Sequence, residues 1–189
     1  MLRYLRTFLP WIAFAVISTP GDSRYGAIAA FLLAVVLLLM ERRRDRPWDA
    51  LVIEGSSVLF FGGLSAAAYL LTPAPFGDYG TVASAVWLTL TAWGSLAVRR
   101  PFTLGIARTM VPPEVHDHPR FYRVNAVITA VWASAFTLEA AVLALLIART
   151  PHAAVAIIAV KVGCLVLPAA FTAYYPKHVS ARVAAAQRP

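Results

Sequence analysis

Cysteine is almost absent from this chain of 189 residues. The one thiol, Cys164, excludes an intramolecular disulfide and a thiolate metal cluster, and leaves a small side chain for packing. Acidic residues are scarce as well, 9 against 17 Lys and Arg. Charged residues together make up 14%, where soluble domains carry about 25%. With 60% apolar residues, this composition excludes an ordinary soluble domain. Phosphate loops, G-x-S-x-G elbows and H-E-x-x-H zinc motifs do not occur. Histidine pairs placed to hold haem within a hydrophobic run are missing too, because His152 and His178 flank the last run. The pair His116 and His118 sits in a proline-broken loop without the further ligands a metal needs. The sequence therefore points to no catalytic residue and no cofactor, and a non-enzymatic protein is expected.

What the chain has is long apolar runs. Measured against the roughly 20 helical residues that cross a bilayer, six segments emerge, at about 8–19, 25–40, 50–71, 79–98, 124–148 and 152–173. The expected fold is an all-α polytopic transmembrane bundle forming one integral membrane domain. The arginines orient it. With the N-terminus in the cytoplasm, the inner side collects Arg3, Arg6, Arg42, Arg43, Arg44, Arg46, Arg99, Arg100, Arg108, Arg120, Arg123, Lys177, Arg182 and Arg188, while the outer side keeps Arg24 and Arg149. This is the positive-inside distribution over short loops, and it predicts an even number of spans with both ends inside. The net charge of +8 then belongs to loops that meet anionic lipid head groups at the cytoplasmic face, and nucleic acid is not expected as a partner.

Local signals refine this outline. Arg3 and Arg6 before 8–18 have the charge and length of a secretory signal, but no small-residue cleavage site follows, so a retained short helix is expected. Short outer turns predict antiparallel hairpins, and Thr150-Pro151 reads as the start of the last helix. In the longest inner loop, Phe102, Ile106 and Met110 recur every four residues, which fits either a helix lying on the membrane surface or an extension of the fourth span. Arg46-Pro47-Trp48 is echoed by Arg100-Pro101-Phe102, a pattern of interfacial chemistry or of a parallel repeat. Small residues four apart (Gly62 with Ala66, Gly63 with Ala67, Ala126 with Ala130 and Ser134, Ala133 with Thr137 and Ala141) predict helix contacts that place the third and fifth helices inside the bundle. Pro168 should kink the last helix. The tryptophans read as interfacial anchors or bundle packing.

Ionisable groups inside spans are costly and mark candidate sites. Glu139 lies ten residues before Arg149 and Lys161 nine after His152, so each sits about 14–15 Å from the outer boundary. Equal depth predicts either a buried ion pair fixing the last hairpin or an ion or proton relay. Glu54 sits about 9 Å inside the inner boundary, and Asn125 enters at similar depth. With the basic residues Arg99, Arg100 and Arg123, they could close the inner face of the bundle or line a polar vestibule for a small anion or a lipid head group.

The stretch 104–136 combines a basic loop, Met110-Val111-Pro112-Pro113-Glu114, then Phe121-Tyr122-Arg123, Asn125, Trp132 and Phe136. It resembles the corresponding loop and helix of the bacterial intracellular septation protein A family, small multi-pass inner-membrane proteins. The resemblance implies a non-enzymatic role in organising the cell envelope, with membrane-protein partners or self-association, and carries over no catalytic residue. A small-solute or proton-coupled transporter or channel is the alternative.

Overall fold

The computed structural model describes residues 6–18, 23–71, 79–150 and 153–186, with backbone alone for 181–186. The expected outer turns at 20–22, 72–78 and 151–152 lie outside the described residues, as do Arg3 and Arg188. Among the described residues the chain is helical, with no strand. The helices are α1 (Leu9–Ile17), α2 (Arg24–Arg42), α3 (Val52–Leu70), α4 (Gly80–Ala97), α5 (Phe102–Arg108), α6 (Pro119–Arg149) and α7 (Ala154–Ala186), with 3-10 turns at Trp48–Ala50 and Pro113–Val115. Four of them, α2, α3, α6 and α7, are long and apolar enough to cross a membrane. The pair α4 and α5 qualifies together, across a bend of 74°. At nine residues, α1 extends only about 13–14 Å, well short of the roughly 30 Å hydrocarbon core.

That short helix is nonetheless central. Phe8, just before it, is 2% exposed and stacks on Trp132 at 4.7 Å, while Trp11 and Phe14 pack on Phe61. Lipid provides no hydrophobic drive between helices, so such close aromatic contacts, each adding about 0.5–1.5 kcal/mol, are what hold the first segment in place. Outside this core, α7 turns Val155, Ile158, Val162 and Val166 outward, as a lipid-facing helix should.

The hairpin expectation needs correction at the centre of the chain. Helix α4 packs its backbone closely against α6 and reaches its sequence neighbour α3 through long side chains, Trp87 and Thr91 to Ser56. The reason is α5, which folds under the bundle and lets α6 rise beside α4. Phe102, Thr103 and Ile106 are 1%, 0% and 5% exposed, so this segment is neither a surface helix nor an extension of the fourth span; Met110 alone of the periodic trio faces out. Thr103 Oγ1 donates to Asn125 O (2.9 Å) and meets Thr129 Oγ1 at 2.8 Å, locking α5 to α6. On its other side Gly105 lies against the 3-10 turn: a Cβ there would collide with Asp49 O and stand 2.6 Å from Ala50 N, so only glycine permits the approach.

The Arg-Pro-aromatic echo has a structural counterpart. Two residues before each proline stands a left-handed residue, Asp45 (φ 55°) and Arg99 (φ 56°). The next amide in each case reaches back five residues, Arg46 N to Glu41 O (3.3 Å) and Arg100 N to Ser95 O (2.8 Å), and the left-handed residue's own amide reaches back three. These are two Schellman caps on non-glycine residues. The proline then ends the helix and starts a short one, the 3-10 turn in one case and α5 in the other, and these two short pieces are the ones that touch.

Other expectations were partly wrong. Thr150 caps the end of α6, its amide and hydroxyl bonding to Leu146 O, and the last helix begins at Ala154. Of the small-residue stripes, Gly62 meets Phe31 of α2 and Ala133 is buried, but Gly63, Ala66, Ser134, Thr137 and Ala141 are exposed; the contact face of α6 is instead Ile128, Trp132 and Phe136.

Candidate functional site

The basic end of the bundle is organised around a glutamate that the sequence hides inside an arginine run. Glu41 occupies the last turn of α2, and its side chain is 11% exposed. Its Oε1 takes Arg44 at 3.0 Å and Arg6 at 3.4 Å, and its Oε2 takes Arg46 Nε at 2.7 Å. The Schellman turn makes this possible by folding residues 44 and 46 back over the helix end they follow. Arg46 continues to Thr109 Oγ1 (2.9 Å), and Arg108 pairs with Asp49 (3.0 Å), so α1, α2, the 3-10 turn and the end of α5 are tied together. Arg42 donates to Arg46 O and lies 4.5 Å over the exposed Trp48 ring.

Glu54 lies in the first turn of α3, 8% exposed, and faces the same assembly. Its Oε1 accepts from Thr7 Oγ1 at 3.0 Å, whereas its buried Oε2 has no hydrogen-bond partner. A cavity of about 300 Å³ opens beside it, lined by Arg6, Thr7, Glu41, Arg44, Arg46 and Glu54 with Leu37, Leu51 and Ile106. A cavity therefore lies at Glu54, with partners other than those expected. Asn125, 3% exposed, donates to Phe121 O (2.9 Å) and borders a separate, larger cavity. Arg99, Arg100 and Arg123 are exposed and do not line the Glu54 cavity. Ser57 bonds to Ile53 O and Trp11. The residues that the sequence did not single out, Thr7 and Glu41, escaped because one lies before the first apolar run and the other looks like an interface residue.

The larger cavity measures about 700 Å³ and lies between α6, α7 and the 110–118 loop. Its walls are apolar, among them Val111, Val124, Ile128 and Ala173, with Arg120, Asn125 and Ser180 as polar members. The loop histidines serve its frame. His116 bridges Arg108 O and Val111 O at 3.1 and 3.2 Å and stacks on Phe121; His118 Nδ1 accepts from Arg120 N, capping α6. Among the described residues no group of three or more His, Cys, Asp and Glu is placed to hold a metal ion.

Glu139 on α6 and Lys161 on α7 are both half-buried. Among the described residues no ion pair within 4.0 Å joins them. The expected buried ion pair is therefore not formed at contact distance.

A repeated polar device runs through the rest of the bundle. Trp11 donates to Ser57 (2.8 Å), Trp87 to Ser56 (2.7 Å), Trp93 to Thr137 (3.1 Å) and Trp132 to Thr172 (2.9 Å), joining α1 to α3, α4 to α3, α4 to α6 and α6 to α7. Ser57, Thr137 and Thr172 pass their own hydrogen to the carbonyl four residues back, so each hydroxyl is used as both acceptor and donor. An indole has one donor and must place it when buried; hydroxyls on the next helix supply the acceptor without exposing a backbone group to lipid.

No family model, no curated protein and no solved structure matches the chain.

Proposed function

We propose that the chain is a non-enzymatic organising protein of the bacterial inner membrane. Its six hydrophobic segments have both ends in the cytoplasm, and the first segment is retained as a short core helix. The carrying observation is the closure of the bundle: four indole–hydroxyl bonds seal successive helix interfaces, and Glu41 is held by three arginines at the basic end. A transport path needs polar groups free to exchange partners along the bundle axis, whereas these are committed to one another. The resemblance of 104–136 to septation protein A supports an envelope role, and the outward apolar face of α7 suits lipid or a membrane partner.

A proton-coupled or small-solute transporter is the second reading, favoured by the cavity that reaches the unpartnered Glu54 Oε2. Flux measurements separate the two. In reconstituted vesicles the expected proton and solute flux equals that of protein-free vesicles, and Glu54→Gln leaves it there. Flux well above background in the parent protein, lost in folded Glu54→Gln, would put the transporter first.

A further inference from the structure

The cavity at Glu54 is lined by both signs of charge. Its basic members are Arg6, Arg44 and Arg46; each guanidinium carries five N–H donors, and the two Glu41 oxygens with Met40 Sδ and Thr109 Oγ1 receive only some of them. Glu54, more than nine-tenths buried, lines the same cavity, and one of its carboxylate oxygens has no hydrogen-bond partner. A buried carboxylate oxygen left unmade is expensive. A simple anion would satisfy the arginines and be repelled by Glu54. A simple cation would do the reverse.

We propose that this cavity binds a phosphate that carries a primary ammonium a few bonds away, the phosphoethanolamine group, with its phosphate on Arg6 and Arg44 and its ammonium on the Glu54 carboxylate. The volume of about 300 Å³ is at the lower end of ligand pockets and suits a head group more than a whole lipid. The site lies where the basic turn 42–46 meets the first turn of α3, the depth at which a phospholipid head group would stand beside a membrane-embedded bundle. A lipid head group and the free phosphoester share this chemistry. The inference requires the chain to be a membrane bundle but not the envelope role, so either can fail without the other.

The test uses the full-length protein, delipidated in detergent, with binding followed by native mass spectrometry and by the shift of the thermal midpoint. Phosphatidylethanolamine, its trimethylammonium counterpart phosphatidylcholine, and phosphatidylglycerol are added separately. The ammonium form is expected to bind about tenfold more tightly than the trimethylated form, the worth of one charge-assisted hydrogen bond. Glu54→Gln should remove that preference, while Arg44→Gln, at an exposed arginine, should weaken all three lipids. Competition by soluble phosphoethanolamine at the same preference would assign the free ester as a ligand; binding of the lipid without such competition would assign the membrane head group. Equal binding of the ammonium and trimethylammonium lipids by the parent protein would overturn the proposal. So would a preference that survives Glu54→Gln. The comparison within the parent protein holds even if that variant does not fold.

Discussion

At the scale of single residues, the bundle relies on hydroxyls that work twice. Thr172 receives the indole hydrogen of Trp132 and gives its own to Pro168 O, the carbonyl four residues back. Trp132→Phe keeps most of the buried ring and removes the donor, and Thr172→Val removes the acceptor while leaving the shape. Each single change is expected to cost about 1 kcal/mol, the range for a hydrogen bond between membrane helices. The double variant should cost less than the two together, because neither then leaves a buried polar group alone. Thermal denaturation in detergent of all four proteins measures it; strict additivity would show that the bond carries nothing. Little of this was legible in the sequence. Tryptophans, serines and threonines can be counted along a helix, but which indole meets which hydroxyl depends on helix pairing. The choice of α6 over α3 as the close backbone partner of α4 follows from a bend that no periodicity reveals. Glu54 was readable, since a lone acid in an apolar run stands out, but its arginines were not: Arg99, Arg100 and Arg123 were expected beside it, and Arg6, Arg44 and Arg46 line its cavity instead. Glu41 was not, being one acid next to three arginines at a segment end, where an exposed residue is the ordinary outcome.

At the scale of elements, α5 is the piece that decides the arrangement. Its periodic Phe102 and Ile106 were visible, but amphipathic spacing alone does not say whether the apolar face meets lipid or protein. The answer lies in Gly105, whose missing side chain lets the 3-10 turn Trp48–Ala50 sit directly on the helix. Gly105→Ala would press a methyl group into backbone atoms that cannot rotate away, and a loss of about 1–3 kcal/mol is expected from overpacking. Gly163 in α7 makes the control, since a Cβ there meets nothing within 4 Å. Gly163→Ala should be neutral or stabilise by up to about 1 kcal/mol through helix propensity. Thermal midpoints of the two variants moving in the same direction would contradict the docking of α5. The neighbouring Schellman caps explain why the chain turns sharply at both places without glycine: each left-handed residue is followed two positions later by proline, which stops the helix in any case.

At the scale of the whole molecule, the charge pattern of the sequence and the packing of the structure meet at one end of the bundle. The start of α1, the end of α2, the start of α3 and the end of α5 come together through Arg6, Glu41, Arg46, Glu54 and Thr109, the ends that the positive-inside rule places in the cytoplasm. The expected topology therefore has the C-terminus on this side too. A cysteine at the exposed Ser180 should react with a membrane-impermeant thiol reagent in inverted vesicles and not from outside intact cells, with Cys164 replaced by serine to silence the background. Labelling from outside would refute the topology. The spans themselves were legible because apolar length is a one-dimensional property. The short first segment was legible only as a shortfall, and that it packs as a core helix on Trp132 depends on aromatic residues more than a hundred positions apart.

The position of α5 also makes it a shared wall. Ile106 borders the small cavity at Glu54, and the next residue, Ala107, with Met110 just beyond, borders the large one under α6 and α7. A rigid helix of seven residues cannot move one of these surfaces and leave the other in place. A guest that displaced this helix from one side would displace the wall of the other space. By the reciprocity of linked equilibria, a guest in the apolar cavity that shifts affinity at Glu54 by some factor must have its own affinity shifted by the same factor in return.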